Sequence, residues 1–374
     1  MRKVFNILQY IETIGPGGAE TVLLDIVRNL ERARFYPRVI LHKSDWLHDQ
    51  LNRYGIETEI IPSRRSWDLS FLRKFIGYCR EHKIDLIHSH LFGANLYASL
   101  AGAILRRPVI ATFHNELFLR GQSEKFLSIK SFIIRKFASN MVFVAEYLKN
   151  DYLEYGKFPA NKMQTIYNGI SLNEKDANGI DSALKKELGI SDKDILIGHI
   201  ANFRTPKGHR YLIEAASIVC EKVPDTKFLL VGEEGDGSIK NEVDALIRKF
   251  GIENNIRILG FRNDVKNILR LIDVFVLSSV SEGMPLSVIE AMAASKPVVV
   301  TNVGGMSEIV IPDKTGFMVA PRDPQALAEK LIALLGNKEK RKEMGQNGKM
   351  IAEEKFSLKN MIDNYQKLYE ELVA

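Results

Sequence analysis

With 374 residues the chain exceeds the roughly 250–300 at which one hydrophobic core stops growing, so two domains are expected. Hydrophobic residues at 45% and charged residues at 26%, with no Pro/Ser-rich or single-residue tract, exclude a fibrous or disordered chain. The net charge of +6 is unevenly placed: residues 1–180 hold 25 Lys and Arg against 18 Asp and Glu, and the remainder holds 27 against 28. A basic first half fits anionic lipid head groups, nucleic acid or a phosphorylated substrate, and equally a merely solvated surface.

The apolar run after Met1-Arg2-Lys3 is broken by Asn6 and Gln9, too short for a signal peptide. No apolar stretch reaches the roughly 18 residues needed to span a bilayer. Cys79 and Cys220 lie in helix-like segments of different halves, so a disulfide framework is not expected and a reducing cytoplasm fits best.

Taken in chain order, strand-like runs alternate with helical patterns: Val4–Tyr10, Ala19–Leu30, Arg38–His42, Ser70–His82, Leu86–Ser89, Ala94–Leu105 and Val109–Thr112. The alternation restarts after a polar stretch at Asn173–Asp181, with Ile195–Ile200, Tyr211–Val219, Lys227–Val231, Val243–Phe250, Ile256–Leu259, Val274–Ser278, Pro285–Ala294 and Pro297–Thr301. This order predicts parallel sheets covered on both faces, in two doubly wound domains over 1–180 and 181–355. Over 356–374, Met361, Tyr365, Leu368, Tyr369 and Leu372 are spaced as the apolar face of an amphipathic helix that packs back on a domain.

Gly15-Pro16-Gly17-Gly18-Ala19-Glu20 follows the first strand and opens a helix, so its free N–H groups suit phosphate. It is not the dinucleotide fingerprint, because Glu20 stands at the third glycine position and the second strand ends at His42-Lys43. A tight turn explains the glycines equally well.

In the second half, Arg204 and Lys207 leave a sheet edge together in Asn202–His209, where they can neutralise a diphosphate. After the strand Val274–Ser278, Glu282, Gly283 and Met284 precede a helix expected to carry Pro285 in its first turn, at the favoured N1 position. Glu290 lies about 7–8 Å along that helix at 1.5 Å per residue. A phosphate at the helix start would put one carboxylate beside each sugar ring, and a carboxylate can accept from two neighbouring hydroxyls. Glu290 is flanked by Val288, Ile289, Ala291 and Met292, where an unpaired charge is expensive.

Gly15–Glu20, Asn202–His209 and Ser281–Met292 together resemble the three signatures of glycosyltransferase family 4, and the similarity extends through Leu229–Gly232, Ile258–Val265 and Thr301–Glu308. The resemblance implies the GT-B fold, in which two Rossmann-like domains face across a cleft. It implies a retaining transferase that moves a sugar from a nucleoside-diphosphate sugar, UDP favoured and GDP as the alternative, without a divalent metal or other cofactor. By the same resemblance Gly17 and Gly18 approach the donor phosphates, Arg204 and Lys207 hold the leaving diphosphate, and Glu282 binds the transferred sugar. Gly283, Met284, Pro285 and Leu286 line the helix start, Glu290 binds ribose hydroxyls, and Phe261 and Arg262 border the base. His114 matches the histidine that faces the donor sugar from the N-terminal domain.

The acceptor is expected to be a glycan or a lipid-linked hydroxyl used in polysaccharide or glycolipid assembly, with nucleic acid not expected as a partner. Lys125–Phe137 reads as a buried helix with a cationic rim, or as a basic amphipathic surface for peripheral contact with an anionic inner membrane face. His88-Ser89-His90 is set aside as a metal site because its side chains are expected on opposite strand faces, and Asp192-Lys193-Asp194 reads as a turn because it precedes a strand. Two other readings stay open, a UDP-sugar epimerase of the same fold and a non-catalytic sugar-nucleotide-binding protein.

Overall fold

The computed structural model describes residues 3–13, 15–63, 67–116, 124–154, 158–172 and 182–373, without the side chains of 124–127. Two compact units emerge, one formed by Met1–Gly169 with Leu358–Ala374 and the other by Ile170–Ser357. The division thus falls at Gly169/Ile170 and not at 180, and the expected linker Asn173–Asp181 lies outside the described residues.

The first unit runs β1 (Phe5–Ile11), α1 (Gly18–Asn29), β2 (Phe35–Leu41), α2 (Trp46–Arg53), β3 (Glu57–Ile60), α3 (Leu69–Glu81), β4 (Leu86–His90), α4 (Phe92–Leu105), β5 (Val109–Phe113), α5 (Glu124–Phe137), β6 (Asn140–Phe143), α6 (Glu146–Glu154) and β7 (Met163–Thr165). Its seven strands lie in the order β3-β2-β1-β4-β5-β6-β7, parallel throughout. The chain order reverses between β1 and β4, which leaves a crevice beyond their carboxyl ends.

In the second unit the elements are α7 (Ser182–Glu187), β8 (Ile195–Ile200), α8 (His209–Lys222), β9 (Thr226–Val231), α9 (Ser238–Phe250), β10 (Ile256–Gly260), α10 (Val265–Leu271), β11 (Val274–Leu277), α11 (Leu286–Ala293), β12 (Val298–Thr301), α12 (Met306–Ile309), β13 (Gly316–Val319), α13 (Pro324–Leu335) and α14 (Lys338–Lys355). The six strands take the order β10-β9-β8-β11-β12-β13, with the reversal between β8 and β11. Central strands such as β11 (Val274, Phe275, Val276, Leu277) and β12 (Val298 to Val300) are buried along their length because helices cover both faces.

Strands β3, β6 and β7 and helices α2 and α6 are not among the runs expected from the sequence, since each is nine residues or shorter. Glu57-Thr58-Glu59-Ile60 and Met163-Gln164-Thr165 are short and half-buried, and they are strands because a neighbour's ladder extends them, β2 for the first and β6 for the second.

The last helix, α15 (Leu358–Val373), belongs to the first unit. Met361, Ile362, Tyr365, Leu368 and Tyr369 form its buried stripe. Tyr369 meets the Phe35 ring edge-on at 5.6 Å, and Gln366 accepts from the Glu31 backbone N–H at 2.7 Å. Burying a side chain of this size is worth about 1.5–3 kcal/mol, more than an exposed 16-residue helix gains by itself.

Candidate active site

In the second unit the crevice between β8 and β11 gathers the charged residues. The chain leaves β8 through Ala201–Phe203, makes one tight turn at Thr205–Lys207 and enters α8 at Gly208. Gly208 has φ +65°, and a Cβ there would stand 2.1 Å from the Ser278 carbonyl oxygen, so only glycine lets this loop lie against the end of β11. Two more bonds seal it: the Val280 N–H donates to the Pro206 carbonyl at 2.8 Å and the Ser278 hydroxyl to the Gly208 carbonyl at 3.1 Å.

This approach delivers Lys207 to Glu282. Lys207 Nζ donates to Glu282 Oε1 at 2.7 Å and Oε2 at 2.8 Å, and Ser279 Oγ donates to Oε1 at 2.6 Å. The Glu282 side chain is only 6% exposed, against 27% for Lys207. An ionised carboxylate has about four acceptor positions, so one remains, on Oε2. On its other side Gly304, φ +56°, passes so close to the Glu282 carbonyl oxygen that a Cβ would stand 1.8 Å away, and the Gly305 N–H donates to the Gly283 carbonyl at 2.9 Å. Arg204 sits exposed on the same loop, with no side-chain partner among the described residues.

Gly283, Met284, Pro285 and Leu286 are buried and lead into α11. Pro285 is the N-cap rather than N1, because its ψ of 116° keeps it extended and the helix begins at Leu286. Glu290 is half-buried, while Val288, Ile289, Ala291 and Met292 turn into the core. Phe261 stands 42% exposed just past β10, the sheet's outer strand. Arg262 does not offer its guanidinium beside it. Nε and Nη2 donate to the two Asp264 oxygens at 2.8 and 2.7 Å, and Nη1 donates to Glu187 at 2.6 Å, so its fork braces the loop to α7.

In the first unit, Gly17 is the N-cap of α1 and Gly18 its first residue, beyond the end of β1. His114 follows β5, two strands away in the same sheet. It belongs to a buried polar chain that the sequence reading missed. His90 Nδ1 lies 3.1 Å from His114 Nε2, and His90 Nε2 lies 3.0 Å from Gln9 Oε1. Gln9 Nε2 donates to the Tyr369 hydroxyl at 2.8 Å, which is 2.7 Å from His88 Nδ1, and His88 Nε2 is 2.8 Å from Thr112 Oγ1. Burial pushes His88 and His114 down to about 3 and His90 down as well, because the charged ring would lose its water.

The expectation that His88 and His90 face opposite ways is wrong. Residues two apart on a strand share a face, and the two rings lie side by side, tilted by 34° with centroids 4.3 Å apart. Their partners are an amide, two hydroxyls and a third imidazole, and no group of three metal-ligating side chains occurs among the described residues. A chemistry-bearing residue at every second strand position was the available signal. Asp192 and Asp194 do form a turn before β8: the Asp194 N–H donates to the Ser191 carbonyl at 3.2 Å, and Asp192 pairs with Lys185.

Two doubly wound parallel sheets in series give the chain the GT-B fold of the glycosyltransferases that it resembles in structure. The family model for glycosyl transferases group 1 matches residues 181–350, and that for Glycosyltransferase Family 4 matches residues 16–174. The chain belongs to this family and is a glycosyltransferase. It is 32% identical to the uncharacterized glycosyltransferase MJ1178 of Methanocaldococcus jannaschii, over 77% of this chain and 76% of that protein. It is 25% identical to the Escherichia coli UDP-Gal:alpha-D-GlcNAc-diphosphoundecaprenol alpha-1,3-galactosyltransferase, over 96% and 94% of the two chains. The crystal structure of Anabaena Alr3699/HepE in complex with UDP and glucose is similar with a TM-score of 0.90 at 26% identity, covering 98% of this chain and all of that one.

Proposed function

We propose that this chain transfers a sugar from a UDP-sugar, with retention of anomeric configuration, to a hydroxyl of a glycan or lipid-linked acceptor in polysaccharide or glycolipid synthesis. The observation that carries the reading is the Lys207–Glu282 pair at the β8/β11 switch point, with Arg204 exposed on the same loop. As the bond from the anomeric carbon to the diphosphate oxygen breaks, negative charge grows on the diphosphate. Arg204, Lys207 and the N–H groups of Gly283 and Met284 stabilise that charge where it develops, which is the work a metal does in other transferases. No metal or other cofactor is needed in this scheme.

Glu282 accepts a hydroxyl of the transferred sugar at its remaining Oε2 position, and Glu290 accepts the ribose hydroxyls. Pro285 and Leu286 hold the helix start in place. Phe261 packs on the base, with Arg262 holding its loop, and the family resemblance gives Gly17, Gly18 and His114 a part in donor binding. The acceptor oxygen bonds to the anomeric carbon from the leaving-group side as the diphosphate departs, and its proton passes to a phosphate oxygen. UDP is favoured because the HepE structure holds it and the galactosyltransferase relative is named for it.

That relative's diphosphoundecaprenol substrate also supports a lipid-linked acceptor and peripheral contact with an anionic inner membrane face. Helix α5 fits such contact: Ser131 and Ile134 are buried, but Ile129 and Phe132 are 46% and 47% exposed, and the Arg135 and Lys136 cations lie over the Phe132 ring. Burial therefore holds on one side of α5 only, and Lys125, Phe126 and Leu127 lie outside the described side chains.

The test is incubation with UDP-, GDP- and ADP-sugars and candidate acceptors, with and without chelator, following nucleoside diphosphate release and the product anomer by NMR. A retained anomer formed from a UDP-sugar in chelator is expected. An inverted product or loss of activity in chelator overturns the mechanism, and C2 epimerisation of the donor replaces transfer with isomerisation.

A further inference from the structure

The buried chain of polar side chains in the first unit has a direction, and one amide sets it. Gln9 points its nitrogen at the Tyr369 hydroxyl and its oxygen at His90. An amide nitrogen only donates and an amide oxygen only accepts. His90 Nε2 must therefore carry hydrogen to meet Gln9 Oε1. A neutral imidazole has one N–H, so His90 Nδ1 is bare and accepts from His114, whose hydrogen is then on Nε2. On the other branch Tyr369, having accepted from Gln9, donates to His88 Nδ1, which leaves His88 Nε2 to donate to Thr112 Oγ1. Each of these contacts is satisfied, from the last helix to the end of β5.

We propose that Gln9 and Tyr369 are positioning residues that lock His114 in the Nε2–H tautomer, so that its remaining nitrogen, Nδ1, meets the donor sugar as a hydrogen-bond acceptor. The inference rests on the reading above that His114 faces that sugar. It adds a specificity: the group opposite Nδ1 must be a hydroxyl able to donate, and a sugar with no hydroxyl there is discriminated against. It also gives α15 a task beyond packing, since Tyr369 is fully buried and supplies the only acceptor described for the Gln9 amide nitrogen. Gln9, His88 and His90 are likewise 0% exposed, so no water competes for the order of the hydrogens.

Turning the Gln9 amide over would reverse every bond in the chain and leave His114 presenting Nδ1–H instead. The two states are therefore distinguishable by where the hydrogens lie. In the full-length protein labelled with 15N-histidine and free of donor, long-range proton–nitrogen correlation spectra report the tautomer of each ring. Hydrogen on Nε2 and a bare Nδ1 are expected for both His90 and His114. An Nδ1–H tautomer at His114, or a mixture, overturns the proposal.

The Tyr369→Phe variant keeps the ring against Phe35 and removes one hydroxyl. In either amide orientation the facing Gln9 atom and His88 Nδ1 then both lack a partner, so neither orientation is preferred and a mixture of tautomers is expected at His114, with donor affinity falling by about twofold if half the molecules hold the competent form. A single unchanged Nε2–H tautomer in Tyr369→Phe overturns the role given to Tyr369.

Donor titration of His114→Asn, which keeps an acceptor oxygen near the position of Nδ1, and of His114→Ala separates this inference from the reading beneath it. Loss of donor affinity in His114→Ala with recovery in His114→Asn supports the acceptor role. Unchanged affinity in His114→Ala overturns the sugar contact itself, even where the spectra uphold the order of the hydrogens.

Discussion

The two carboxyl edges of this enzyme solve the problem of polar residues at a sheet end in opposite ways. At the β8/β11 edge a buried carboxylate meets cations that reach water: Glu282, 6% exposed, is held between Lys207 and Ser279, while Lys207 is 27% exposed and Arg204 lies open. At the β1/β4/β5 edge His88, His90 and Gln9 are fully buried and uncharged, each satisfied by a partner of matching polarity. A charged edge suits a step in which charge develops. A neutral, water-free edge cannot stabilise much charge, but it can hold one tautomer in place. The difference teaches that two similar architectures divide the labour by desolvation.

The largest expected effect is at the charged edge. Arg204→Ala is expected to lower turnover by roughly 10²–10³-fold, as the removal of one donor at a developing charge does, with the melting temperature unchanged because the side chain is exposed. Lys207→Ala should lose as much turnover and, by leaving Glu282 with only Ser279, also lose about 2 kcal/mol of stability by urea unfolding. Unchanged turnover in both variants would remove their role and with it the contrast between the edges.

Acid acts on the neutral edge instead. The folded-state values of His88 and His114 are depressed to about 3 from an ordinary 6.5. Below pH 6.5 the unfolded chain therefore binds protons that the folded chain refuses, and stability falls as pH drops from 6.5 toward 3. The slope is about 1.4 kcal/mol per histidine per pH unit. His90 and, in the second unit, His199 and His209 shift the same way through burial, His209 to about 4. Urea unfolding at pH 7.5 and 5.5 checks this, and equal stability at the two values would mean that the histidines titrate normally.

The smallest effect on stability is expected at α5. Ile129→Ser with Phe132→Ser should change stability by less than about 0.5 kcal/mol because both residues are exposed, while abolishing sedimentation with anionic liposomes at low salt. Wild-type protein that fails to sediment would remove the membrane contact.

Much of the fold was legible because long parallel strands are apolar throughout and their helices keep the 3.6 period. The loops that carry Arg204, Lys207 and Glu282 were legible too, since one turns at Gly208 and the other leads into Pro285 at the start of a helix. Arg262 shows the limit. The family resemblance gave it a place beside the base with Phe261, while Asp264 and Glu187 take its whole fork, and Glu187 lies 75 residues away.

By itself the sequence determined the fold class, the family, and which loops carry the cations and carboxylates, because periodicity and turn chemistry are local. Only the tertiary structure decided that Glu282 is caged by Lys207 and Ser279, that Leu358–Ala374 belongs to the first unit, and that Gln9, His90 and Tyr369 stand in line with His114. Those residues are separated by up to 360 positions along the chain, and strand order, which no local pattern encodes, is what brings them together.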